Sequence, residues 1–212
     1  MKKLLSHENT KDELTDFLSQ YLIKHASEHE RKVVVSWRTT AKASHKSVEE
    51  LASNHEEADT KIILHGKYVA ENGCNALHIF SPDTDVFILA LRRYLVLPQD
   101  TGIFMGVGMR RFVSLKPIFD SLGPLKAAAL PGLHALSGCD TTGSFANKGK
   151  PSWWKCFLNC SNEALEALVN LGKSRSLSDE IIKTLEEFIC QLIVAAVLMA
   201  CPAQKCAFVT VI

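Results

Sequence analysis

Residues 76–85 read Ala-Leu-His-Ile-Phe-Ser-Pro-Asp-Thr-Asp, and the fold follows from how this stretch divides. Residues 76–80 form a short apolar run of the buried-strand type, bounded by turn signals. Ser81-Pro82-Asp83 breaks the run, and Asp83 is placed to cap a helix over 84–93. Upstream, residues 55–71 carry Ala58, Ile62, Ile63, Val69 and Ala70 at helical spacing, and Asn72-Gly73 supplies the stop. Downstream, the glycine-containing segment 102–115 predicts a β-hairpin. A strand followed by a helix and then by further strands is the signature of an α/β layer with a mainly parallel sheet.

The rest of the chain is assembled around this centre. Leu14, Phe17, Leu18, Tyr21 and Leu22 predict an amphipathic helix over 11–26, with Asn9 or Thr10 as its cap. The β-branched run at 32–37 predicts a strand, and the polar residues 38–47 a turn or hairpin return. Helices are expected over 116–122, 131–137 (stopped by Gly138), 161–172 and 178–199, the last started by Ser178-Asp179-Glu180. The expected architecture is a three-layer α/β/α sandwich with a C-terminal helical segment. It divides into residues 1–30, an N-terminal helical segment; 31–145, an α/β core carrying the site; and 146–212, a helical region.

Composition bounds the function classes. Hydrophobic residues make up 47% of the 212 positions and charged residues 22%, which fits a globular fold and excludes disorder over the whole length. Twenty-four basic and 23 acidic residues leave a net charge of +1, so no global field draws the chain onto nucleic acid and any such contact is local. The seven cysteines are odd in number and irregularly spaced, which predicts free thiols in a reducing compartment and an intracellular protein, nuclear or cytoplasmic. Cys156 and Cys160 lack the further ligands that a structural zinc site needs. The apolar stretch 188–201 is too short to span a bilayer and is interrupted by Gln191, so it predicts a buried helix and no membrane partner.

Three short acidic motifs stand at element boundaries: Glu56-Glu57-Ala58-Asp59, Asp83-Thr84-Asp85 and Gly138-Cys139-Asp140. Asp83 and Asp85 fall at the carboxyl end of the central strand, where open α/β sheets place their ligands. In extended chain their i, i+2 spacing sets both carboxylates on one side. Carboxylates gathered in one pocket repel one another unless a cation neutralises them, and hard oxygen donors favour Mg2+ or Mn2+. Each acid also has an ordinary reading: Asp83 as an N-cap, Glu56, Glu57 and Asp59 as first-turn acids suited to the helix dipole, and Asp140 as a turn residue.

The three motifs, in this order, resemble those of the PIN-like superfamily in its flap-endonuclease and 5′-3′ exonuclease branch. Glu57-Ala58-Asp59 is similar to that branch's E-A-E motif, Ser81-Pro82-Asp83-Thr84-Asp85 to S-x-D-x-D, and Leu136-Ser137-Gly138-Cys139-Asp140 to L-x-G-C-D. The stretch from about Asn54 to Lys150 looks more closely like that of uncharacterised animal proteins carrying this domain. The resemblance implies a divalent-metal-dependent nuclease acting on DNA or RNA. It assigns Glu57, Asp59, Asp83, Asp85 and Asp140 as metal ligands, with Asp83, Asp85 and Asp140 as the catalytic set. Asp59 stands where that motif has Glu, and Glu56 has no counterpart. The branch's first strand, with its own metal-binding aspartate, and its basic helical arch have no match here, so the resemblance implies a module incomplete at its N-terminus.

Lys148, Lys150 and Lys155 flank Trp153 and Trp154 in the place where flap nucleases carry a DNA-gripping helical hairpin. The lysines are therefore candidate nucleic-acid ligands, and the tryptophans either stack on bases or fill a core. His78 and His134 read as satisfied core residues and Cys139 as packing. The alternative function is a non-catalytic PIN-like module that binds nucleic acid or protein, mobile-element-derived in origin.

Overall fold

The computed structural model describes residues 7–54, 58–98, 100–107, 111–139, 142–146 and 148–200. They form an α/β protein with eight α-helices and two small sheets among the described residues. The chain divides into two compact units, Met1–Leu115 and Lys116–Ile212.

In the first unit, helix α1 (Glu8–Glu28) precedes the antiparallel hairpin β1 (Val34–Trp37) and β2 (Thr40–Ala43). Helix α2 (Ala58–Glu71) ends at Gly73, whose φ of +89° supplies the left-handed stop expected there. Strand β3 (Ala76–Ile79) and helix α3 (Thr84–Arg93) follow, then β4 (Gly102–Val107) and β5 (Arg111–Ser114). The second sheet has the order β3-β4-β5, with β3 and β4 parallel and β4 and β5 antiparallel. Leu77 and Ile79 pair in register with Ile103 and Met105, and all four are buried. Alternation puts His78 and Phe104 on the opposite face, where their rings stack 5.0 Å apart. His78 is thus an exposed member of an aromatic face rather than a core residue.

Helix α1 departs from the amphipathic expectation. Phe17 is 65% exposed and Tyr21 56%, and Leu14, Leu18 and Leu22 are exposed with them. The face turned to the hairpin carries Asp12, Asp16, Ser19 and Ala26 instead. Trp37 Nε1 donates to Asp16 at 2.9 Å, Arg38 pairs with Asp12 at 3.1 Å, and Ser19 and Ala26 are buried. A buried indole N–H needs an acceptor, and this requirement outranks the apolar stripe in setting the rotation of the helix. The cap also differs: His7 occupies the N-cap position, with no side-chain bond.

The second unit contains α4 (Lys116–Leu122), α5 (Pro124–Leu136), α6 (Lys150–Leu158), α7 (Asn162–Asn170) and α8 (Asp179–Ala200). Helix α5 starts seven residues before the expected 131, with Pro124 in its first turn and Pro131 inside it. Helix α6 is not among the helices expected from the hydrophobic pattern, and it begins Lys150-Pro151, a proline placement suited to a helix start. Trp153, Phe157 and Phe188 are fully buried and form the aromatic centre of this unit. Cys156 Sγ lies 3.9 Å from the Phe188 carbonyl oxygen, and Cys160 Sγ donates to the Phe157 carbonyl at 3.1 Å. Burial pushes both thiols up from their ordinary pKa, and the two are not linked to each other. No helix among the described residues is long and apolar enough to cross a membrane.

Candidate metal centre

The centre is built where two helices begin. Helix α2 leads into β3 through the tight turn at Asn72-Gly73, so it runs back along the strand and its first turn lies at the strand's carboxyl end. Helix α3 starts from that same end, directly after Ser81-Pro82. Asp59 occupies the first turn of α2, Asp83 the N-cap of α3 and Asp85 its first turn. The three carboxylates each place an oxygen within 4.8 Å of the others. Asp83 is exposed, and Asp59 and Asp85 are half-buried.

Asp83 accepts the backbone N–H of Asp85 at 2.9 Å, and its own N–H donates to Ser81 Oγ at 3.2 Å. It is therefore a helix cap as well as a member of the acidic group. The extended-chain alternation argued from sequence is not what joins Asp83 to Asp85: only Asp83 is extended, and Asp85 is already helical. Convergence comes from two helix N-termini meeting, whose partial positive charges offset part of the repulsion among three carboxylates. A cleft of about 360 Å³ opens beside them, lined by Ser81, Asp83, Thr84, Phe87, Met105 and Gly106.

All three donors are hard carboxylate oxygens, the set that suits Mg2+ or Mn2+ and offers nothing to soft metals. The residues present thus fit such an ion. Glu57 and Asp140, the other two expected ligands, lie outside the described residues. Lys148, Lys150 and Lys155 belong to the second unit: Lys148 precedes α6, and Lys150 and Lys155 are exposed on it. Lys150 Nζ lies 2.9 Å from His134 Nδ1, so His134 has a hydrogen-bond partner but is half-buried rather than in the core. The two tryptophans divide, Trp153 buried and Trp154 40% exposed. Cys139 is half-buried against Thr142, with 3.2 Å between Sγ and Oγ1.

A larger groove, of about 550 Å³, runs between α2 and β3 and is mostly apolar. It holds a feature with no signal in the sequence: Ser36 on β1 and His65 on α2 are 2.6 Å apart, from Oγ to Nε2. Burial, and then the Lys61 charge, lower the His65 pKa, so this imidazole is neutral at pH 7. Size does not decide between the two cavities, because the smaller one has Asp83 in its lining and the larger has no carboxylate in its own.

Compared with protein-family models, with curated proteins and with solved structures, the chain matches none.

Proposed function

We propose that the first unit is a PIN-like, divalent-metal-dependent nuclease module that hydrolyses phosphodiester bonds of DNA or RNA. Its finer architecture in this reading is the three-layer α/β/α sandwich. The observation that supports it is the convergence of Asp59, Asp83 and Asp85 from two motifs 24 residues apart in the chain. These three side chains would hold Mg2+ or Mn2+. The ion supplies an activated water and neutralises charge on the phosphate. The chain's own contribution is positional. The capping bond from Asp85 N–H fixes the Asp83 carboxylate, so it is oriented before any ligand arrives. The two helix N-termini add a field favourable to a phosphate. Lys148, Lys150 and Lys155 are read as phosphate-contacting side chains of the second unit.

The test is cleavage of single-stranded and 5′-flap oligonucleotides, DNA and RNA, by the full chain with Mn2+ or Mg2+. The expected result is metal-dependent cleavage that disappears in Asp83→Asn/Asp85→Asn. Equal cleavage by both proteins, or none by either, would overturn the catalytic reading.

A further inference from the structure

The last turn of α1 gathers a second group of metal donors, different in chemistry from the acidic one. His25, Glu28 and His29 each present a ligand atom within 4.8 Å of the other two. The i, i+3, i+4 spacing puts all three on one side of the helix end. In the sequence it reads His-Ala-Ser-Glu-His, and the paired histidines of this H-x-x-E-H spacing serve zinc in some metallopeptidases.

Two further observations orient the rings. His29 Nδ1 lies 2.9 Å from the His25 backbone carbonyl. A carbonyl only accepts, so Nδ1 carries the hydrogen and Nε2 keeps the lone pair that a metal takes. A backbone carbonyl holding the other ring nitrogen is the usual outer support of a metal-bound histidine. Tyr21, one turn earlier, stacks on His25 with centroids 5.9 Å apart and planes inclined by 6°, which limits how that ring turns. The His25 and His29 rings are themselves 4.1 Å apart.

From this we infer that His25, Glu28 and His29 form a binding site for a borderline transition-metal ion, Zn2+ in the first instance. Imidazole nitrogen with one carboxylate suits Zn2+ and not Mg2+. Tetrahedral bonds of about 2.0–2.1 Å set neighbouring donors roughly 3.4 Å apart, a closure that exposed side chains reach by small rotations. The negative end of the helix dipole lies at this terminus and favours a cation. The competing partner is weak: Lys24 sits 3.9 Å from Glu28, and both side chains are well exposed. The site has no cleft beside it among the cavities described above, so the inference is binding: an ion that clips the final turn of α1.

Zinc titration of the full chain, followed by calorimetry and by the ring-nitrogen resonances of the histidines, tests it. The expected result is that Zn2+ shifts ring-nitrogen signals of two histidines and raises the melting temperature. His25→Ala and His29→Ala each weaken this binding about tenfold or more. Asp83→Asn/Asp85→Asn leaves it unchanged, which separates this site from the acidic centre. Circular dichroism checks that the variants keep their helix content, as substitution of exposed side chains should allow. Zinc binding of wild-type strength in His25→Ala and His29→Ala, or zinc that moves no imidazole signal, would overturn the inference. An unchanged affinity in Glu28→Gln would remove the carboxylate from the ligand set.

Discussion

Asp83 serves two purposes that single substitutions can separate. As the N-cap of α3 it satisfies an otherwise orphan N–H, and as a carboxylate it contributes charge to the acidic group. Asparagine caps about as well as aspartate, whereas alanine does not. Asp83→Ala is therefore expected to destabilise the chain by about 1 kcal/mol in urea unfolding, and Asp83→Asn by only a few tenths. Both should lose Mn2+ binding, measured by the loss of the free-ion paramagnetic signal on titration. A protein that keeps wild-type Mn2+ affinity as Asp83→Asn would show that capping alone explains this residue. His65 makes a related point at the same scale. Its short bond to Ser36 and its lowered pKa describe a neutral, satisfied imidazole beside an apolar groove.

At the scale of elements, helices α5 and α7 approach too closely for any side chain at one position. A Cβ built on Gly132 would lie 2.1 Å from the Leu168 backbone carbonyl. Backbone cannot yield as a side chain can, so Gly132→Ala must push the helices apart. The expected cost is about 3 kcal/mol, read as a lower urea midpoint at unchanged slope. The extra helicity of alanine, worth up to about 1 kcal/mol, acts in the opposite direction and does not offset it. An unchanged midpoint would mean that these two helices do not pack as described. Helix α1 illustrates the converse. Its apolar stripe is plain in the sequence, yet its contact face is set by Asp12 and Asp16, which answer Arg38 and Trp37.

At the scale of the whole molecule, each compact unit has its own core. That of the first is Leu77, Ile79, Val86, Leu91, Ile103 and Met105, and that of the second centres on Trp153, Phe157 and Phe188. Phe157→Ala opens a cavity in the second core and is expected to cost about 3–5 kcal/mol there. Hydrogen exchange should report it as faster amide exchange through α5 to α8, with β3 and β4 still slow. Equal acceleration in β3 and β4 would show that the two cores unfold as one.

Much of the element order was legible in the sequence, because period and punctuation are local. The break at Ser81-Pro82-Asp83, the stop at Gly73 and the hairpin over 102–115 depend on residues a few positions apart, and all are present. The start of α5 and the whole of α6 were less legible. Prolines inside or in the first turn of these helices resemble breaks, and only packing shows that they are accommodated. The resemblance of three ordered motifs grouped five acids, Glu57, Asp59, Asp83, Asp85 and Asp140, of which Asp59, Asp83 and Asp85 are described. Their convergence is tertiary, made by α2 running back along β3 so that two helix starts meet. The sequence alone thus determined which residues carry the acids and on which elements. Tertiary structure decided which of them meet, because meeting depends on how helices cross a sheet, and no local spacing encodes that.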